Sequence, residues 1–207
     1  FTSNRLIDDM GEQFVVVSSY DTDSGKTKDL GLSDAIPMAN GATRARGGDI
    51  IFCRQGNFTF PAGLSRYDPE SGQVSDVVSG VDGLQFNSPN DVVVSSAGAV
   101  YFSDPTYGRM PVFGEERECE LDFQGVFRIS PDGEVSCVAD DYGQPNGLCF
   151  SPDESLLYIN DTPRAHIRMY DVNADGSLAN GRIFAENIGD GVLENGVVDG
   201  MKCDAGG

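Results

Sequence analysis

The chain has 207 residues, 39% of them hydrophobic, enough for one packed domain and short for two large ones. Its 14 basic and 33 acidic residues leave a net charge of −19, spread along the sequence as solvated surface. Nucleic acid and anionic membranes need cationic patches, so neither is expected as a partner, and no apolar run approaches the roughly 18 residues of a membrane span.

In chain order the sequence predicts one short strand after another. Phe1-Thr2-Ser3-Asn4-Arg5 lacks the pattern of a signal peptide and reads as the inside of a strand. Phe14-Val15-Val16-Val17 is the first clear strand, followed by the turn Tyr20-Asp21-Thr22-Asp23-Ser24-Gly25. In such turns Asp bonds its own backbone and Gly supplies positive φ. Met38-Ala39-Asn40-Gly41, the turn Arg46-Gly47-Gly48 and the strand Asp49–Cys53 follow. Tyr67-Asp68-Pro69-Glu70-Ser71-Gly72 then repeats the first turn. Ser88-Pro89-Asn90-Asp91 feeds Val92–Val94, the turn Ser96-Ala97-Gly98 and the strand Val100–Phe102. Tyr107 to Phe123 interrupts the rhythm as a long Glu- and Gly-containing insertion, either a solvated loop or a lid over a pocket.

Val126–Ile129 and the turn Ser130-Pro131-Asp132-Gly133 restore the rhythm. Gln144-Pro145-Asn146-Gly147, Ser151-Pro152-Asp153-Glu154, Leu156–Ile159, His166–Tyr170 and the turn ending at Gly176 make a further unit. Val197-Val198-Asp199-Gly200 opens another, and Asp204-Ala205-Gly206-Gly207 reads as its inner turn. No segment carries a capped helical stripe, so the chain is all-β. Four strands per roughly 50 residues, with two turn types recurring in phase, describe a blade of a β-propeller. About four such blades fit residues 1–207 as a single domain, with both ends reading as cut from a larger propeller.

The five cysteines form no CxxC pair. Cys53, Cys137, Cys149 and Cys203 sit in strand-like runs, which predicts buried free thiols in a reducing, cytoplasmic compartment. Asn57-Phe58-Thr59 and Asn160-Asp161-Thr162 match glycosylation sequons, which arise often by chance.

The repeated slot carries the chemistry. Asn40, Asn90, Asn146 and Asp199 are separated by 50, 56 and 53 residues, each just before a short apolar strand. In a propeller the inner strands line a central channel, so these side chains would converge at one mouth. One Pro-Asn-Gly is an ordinary turn, whereas three such slots in phase make a ligand set. Amide and carboxylate oxygens suit Ca²⁺ first, then Mg²⁺ or Mn²⁺. Zn²⁺ would more often recruit His or Cys, and the single histidine, His166, lies within a strand run.

Phe86–Val94 with Val100–Gly108, Leu121–Arg128, Pro145–Leu148 with Phe150–Asp153, and Val198–Met201 before Lys202 together resemble the gluconolactonase branch of the regucalcin/gluconolactonase (SMP-30/gluconolactonase/LRE-like) family. The resemblance runs from about Asn40 to the end. It implies a six-bladed propeller with one catalytic divalent cation in its channel. The family holds that cation with a Glu from the first blade, with the Asn matching Asn146 and with the Asp matching Asp199. Asn90 matches an Asn that binds substrate or, in paraoxonase-like and phosphotriesterase-like relatives, the metal. The family's Glu-Gly-Pro motif has no counterpart here, as expected of a chain starting beyond it. Regucalcin-like members use an Arg where Ser88 stands, leaving Asn90, Asp91, Asp104 and Tyr107 as the expected substrate contacts. The implied reaction is hydrolysis of a sugar-acid lactone, with Asp199 as catalytic base and Asp91 or Asp104 in reserve. A phosphotriesterase-like or aryl-esterase activity and a non-catalytic calcium-binding propeller are the alternatives.

Overall fold

The computed structural model describes residues 2, 6–7, 9, 13–111, 113–189 and 196–206. The expected strand at Phe1 and the end of the last turn at Gly207 lie outside them. β1 (Leu6–Ile7) pairs with β2 (Gln13–Phe14), and β3 (Ser18–Asp21) pairs with β4 (Lys26–Asp29) around the first Asp-Ser-Gly turn. β5 (Ala39–Arg44), β6 (Ile50–Arg54), β7 (Gly63–Tyr67) and β8 (Val74–Val78) form a four-stranded antiparallel sheet in sequence order. A hairpin, β9 (Gly80–Val81) with β10 (Leu84–Gln85), leads to the second four-stranded sheet. Its strands are β11 (Val92–Val94), β12 (Val100–Asp104), β13 (Gln124–Ile129) and β14 (Val135–Tyr142). The third sheet has β15 (Pro145–Phe150), β16 (Leu156–Asp161), β17 (His166–Val172) and β18 (Leu178–Ala185). One 3₁₀ turn, Tyr107–Arg109, is the sole helical element among the described residues. None of them forms a helix long and apolar enough to cross a membrane.

The chain is therefore all-β, with three complete four-stranded sheets described where the turn count predicts about four units. The β3–β4 hairpin carries the turn that β7 and β8 repeat and so matches the outer pair of a preceding unit.

Strand periodicity explains the stacking. Successive side chains point to opposite faces, and each middle strand feeds two layers. On β12, Phe102 enters the layer shared with the first sheet, while Tyr101 enters the layer shared with the third. Phe127 and Val126 divide in the same way on β13. On β6, Cys53 joins the first of these layers, and Phe52 joins a third layer with Val15, Val17, Leu32 and Ile36. Phe86 packs edge-on against Phe102 and Phe127, with ring centroids 5.1 and 5.0 Å apart. Such aromatic pairs add about 0.5–1.5 kcal/mol beyond the area they bury.

Two expectations are corrected. Cys53 and Cys149 are buried, but Cys137 is exposed and Cys203 half-buried, because Cys137 lies on the outer strand β14 where little covers it. Of the predicted strand Phe14–Val17 only Phe14 lies in a paired strand, β2, while Val17 makes an isolated bridge to Thr2, and Val15 and Val17 still enter the core.

The insertion after β12 is fastened to the sheet. Arg109 is buried, with Nε donating to the Asn87 carbonyl at 2.6 Å and Nη2 to the Phe86 carbonyl at 2.7 Å. Its Nη1 reaches the Glu118 carbonyl. The Glu115 and Glu120 carboxylates accept the backbone N–H groups of Phe58 and Gln85, each at 2.7 Å.

Candidate functional site

The repeated slot occupies one structural position in each sheet. On β15, Pro145 pairs with Asp161 and Leu148 with Ile159, so Asn146 and Gly147 bulge together opposite Asn160. On β5, Ala39 pairs with Arg54 and Ala42 with Phe52, so Asn40 and Gly41 bulge opposite Cys53. Asn90 and Asp91 face Ser103 through Asn90 N–H to the Ser103 carbonyl (2.9 Å) and Ser103 N–H to the Asp91 carbonyl (3.0 Å). A bulge of this kind locally twists a strand and re-aims a side chain.

A buried carboxylate holds the loop before the slot in two sheets. The Asp104 oxygens accept the N–H groups of Asn87 and Ser88, both at 2.8 Å. The Asp161 oxygens accept those of Gly143 (2.8 Å) and Gln144 (3.2 Å). Burial is the main cause that pushes the Asp104 carboxyl up to about 7, against the opposing pull of the Asn87 and Ser88 N–H groups. Ser88 is itself buried, its hydroxyl donating to the Pro105 carbonyl (2.7 Å) and accepting from Gly108 N–H (2.9 Å).

The densest polar junction surrounds Asn146, which is 5% exposed. Its Nδ2 donates to Thr162 Oγ1 at 3.3 Å, and that hydroxyl donates to the Val198 carbonyl at 2.9 Å. Asn160 Nδ2 donates to the Asp199 carbonyl at 2.5 Å. Gly147 makes the approach feasible: a Cβ there would lie 2.8 Å from Met201 N and 2.9 Å from Asn160 Nδ2, and would strike the Asp199 carbonyl. The Tyr107 phenol stands beside Thr162 and Asn146; burial, the main cause, raises its pKa, and the Asp161 and Asp199 charges add to that. Gln144 ties this junction to the insertion, accepting Thr106 N–H at 2.8 Å and donating to Thr106 Oγ1 at 2.7 Å. The Tyr107 ring meets Phe113 edge-on, 5.5 Å between centroids.

The structure thus brings Asn146, the Asp199 peptide and Tyr107 together. Asn90 is 8% exposed, held by its backbone N–H to the Ser103 carbonyl. Asp91 belongs to a neighbouring cavity of about 430 Å³, lined also by Asn40, Gly41, Met201 and Lys202. Its Oδ1 accepts Val92 N–H (2.9 Å) and its Oδ2 accepts Leu148 N–H (3.3 Å), with Lys202 Nζ 3.6 Å from Oδ2. Burial raises the Asp91 pKa, and Lys202 opposes it. Asp104 lies apart from the junction, fully buried beneath its loop. Asn160 and Thr162 are the residues that sequence reasoning missed. The signal was the strand-end triplet that follows each bulge in register, Cys53-Arg54-Gln55, Ser103-Asp104-Pro105 and Asn160-Asp161-Thr162.

The donor set fits a hard divalent cation. Asn146 Oδ1 and Asn160 Oδ1 are buried without a hydrogen-bond partner among the described residues. Each such orphan costs about 1–3 kcal/mol unless something satisfies it. Amide oxygens beside the Asp199 segment suit an oxygen-coordinated ion. Among the described residues no three His, Cys, Asp or Glu cluster as metal ligands, so such a site draws on amides.

Known proteins share both sequence and fold with this chain. The gluconolactonase of Zymomonas mobilis is 38% identical over 146 residues, which are 68% of this chain and 40% of that protein. The lactonohydrolase oryL of Aspergillus oryzae is 31% identical over 112 residues, 51% of this chain and 24% of that one. The chain therefore spans less than half the length of either relative. The solved structure of XC5397 from Xanthomonas campestris, described as a gluconolactonase, matches with a TM-score of 0.78 at 29% identity. That match covers 100% of this chain and 68% of the other. A calcium-binding regucalcin from Agrobacterium tumefaciens shares the fold at a TM-score of 0.67 and 20% identity, over 99% of this chain and 64% of its own. The family described as SMP-30/Gluconolactonase/LRE-like region matches residues 9–207. The chain, with its phased Asn bulges and its orphaned Asn146 oxygen, belongs to the SMP-30/gluconolactonase/LRE-like family.

Proposed function

We propose that the protein of which these sheets form part is a six-bladed propeller that hydrolyses a small lactone, a sugar-acid lactone foremost, with the help of one divalent cation. Asn146 Oδ1 and Asp199 would hold the cation, Ca²⁺ first, and Asn90 offers a further amide to the cation or to substrate. When bound, such a cation supplies Lewis-acid polarisation of an ester carbonyl and acidifies water.

The chain's own groups do the remainder. Asp199 takes the proton from the attacking water and returns it to the leaving alkoxide. Tyr107, kept protonated by burial, donates a hydrogen bond to a substrate oxygen beside Asn146. Asp91 and Asp104 act as anchors in this reading, because their oxygens already accept backbone N–H groups. The observation that carries the proposal is the buried, unpaired Oδ1 of Asn146 beside the Asp199 segment.

The test is hydrolysis of an aldonolactone and of a phosphotriester by the full-length protein and its Asp199→Asn variant. We expect preferred turnover of the lactone, and a loss of about a thousandfold or more in the variant with the fold retained. Undiminished turnover by Asp199→Asn would reject its role. Faster phosphotriester cleavage would favour the esterase alternative. Calcium uptake without turnover on either substrate would identify a binding propeller.

A further inference from the structure

We propose that Thr162 is a positioning residue whose hydroxyl decides which end of the Asn146 amide faces the cation site. The inference rests on the reading of Asn146 as a cation ligand. A threonine hydroxyl carries a single proton. Thr162 gives it to the Val198 carbonyl, 2.9 Å away, which can only accept. Only lone pairs then remain for Asn146, 3.3 Å away. An amide that meets an acceptor must present its NH₂, and its oxygen is therefore turned to the other side. That oxygen is the buried one without a partner.

The same hydroxyl joins two stretches of chain. Asn146 lies on β15, whereas Val198 precedes Asp199 in the next segment. Thr162 thus orients one ligand and tethers the peptide that carries the other. Asn160, two residues earlier, adds a second tether through the Asp199 carbonyl. The register makes this specific to the third sheet. The residue after Asp104 is Pro105 and the residue after Arg54 is Gln55, so neither Asn90 nor Asn40 has a hydroxyl in the corresponding place.

The experiment titrates the metal-free full-length protein with Ca²⁺ by calorimetry, for wild type, Thr162→Val and Thr162→Ser. Valine keeps the shape and removes the hydroxyl, whereas serine keeps the hydroxyl. We expect Thr162→Val to weaken Ca²⁺ binding by about 10- to 100-fold, the usual effect of losing an outer-shell partner, and Thr162→Ser to recover most of it. A second pair guards against general damage. Aspartate has an oxygen at either end, so in an Asn146→Asp background orientation no longer matters. There, Thr162→Val removes only the tether to the Val198 carbonyl and is expected to cost several-fold less in Ca²⁺ affinity than it does beside Asn146. Equal affinity of wild type and Thr162→Val, or the same loss in both backgrounds, would overturn the inference while leaving Asn146 as a ligand. A wild-type protein that takes up no Ca²⁺ would overturn the ligand reading and this inference with it.

Discussion

Asp104 shows how one buried side chain couples the scaffold to pH. Its carboxyl is pushed up to about 7 in the folded protein, against about 4 in an unfolded chain. A raised carboxyl pKa means that the folded state holds the proton more tightly. This contribution to stability is full below about pH 4 and is lost as pH rises through about 7. Between those values the slope approaches about 1.4 kcal/mol per pH unit. Asp104→Asn should flatten that slope in melting temperatures recorded from pH 4 to 8, and an unchanged slope would place the titration elsewhere. Exposed turn carboxylates act in the opposite sense. The Ser71 hydroxyl on Asp68 and the Ser151 hydroxyl on Asp153 depress their pKa values, so their contribution is lost in acid below the window of Asp104. At this scale, Asn146 and Asp199 are legible in the sequence because they recur in phase. Thr162 and Asn160 are not: their triplet has different chemistry in each sheet and reads as a chance sequon.

The bulged inner strand is the element on which the site depends. Gly147 leaves room for Asn160 and for residues 199–201 to approach β15. Gly147→Ala is expected to force that segment away, costing about 1–3 kcal/mol by overpacking and weakening Ca²⁺ binding alongside. Gly200→Ala is the control. None of the described residues lies within 4 Å of a Cβ at that position, so its unfolding free energy should stay within about 0.5 kcal/mol of wild type. Equal behaviour of the two variants in denaturant titrations would remove the steric argument. The sequence shows the middle strands β6, β12, β16 and β17 clearly, since they are short, apolar and bounded by turns. The outer strands β8 and β18 and the inner strands β5 and β15 are harder to read. Outer strands expose much of both faces and lose the alternation that half-burial imposes. The inner ones are disguised by the Asn-Gly pairs in their bulges, and β15 also begins at Pro145.

Across the whole molecule, stability comes from layers shared between sheets. Phe86, Phe102 and Phe127 fill the layer between the first and second sheets. Phe127→Ala is expected to cost about 3–5 kcal/mol, measured as a lowered denaturant midpoint, because neighbouring sheets can close the cavity only in part. A cost below about 1 kcal/mol would mean that the layer collapses freely. The period of the chain made this stacking readable in advance, whereas the partition of roles within it was not. Asp104 and Asp161 brace their loops from inside their own sheets, while the Asn146–Thr162–Val198 relay runs from one segment to the next. The second and third sheets thus brace their own rim loops, whereas the segment after β12 is bonded to both neighbours, through the Phe58 N–H on one side and Gln144 on the other. A change of length or sequence in that segment would therefore be felt on three sheets at once and not on the second alone.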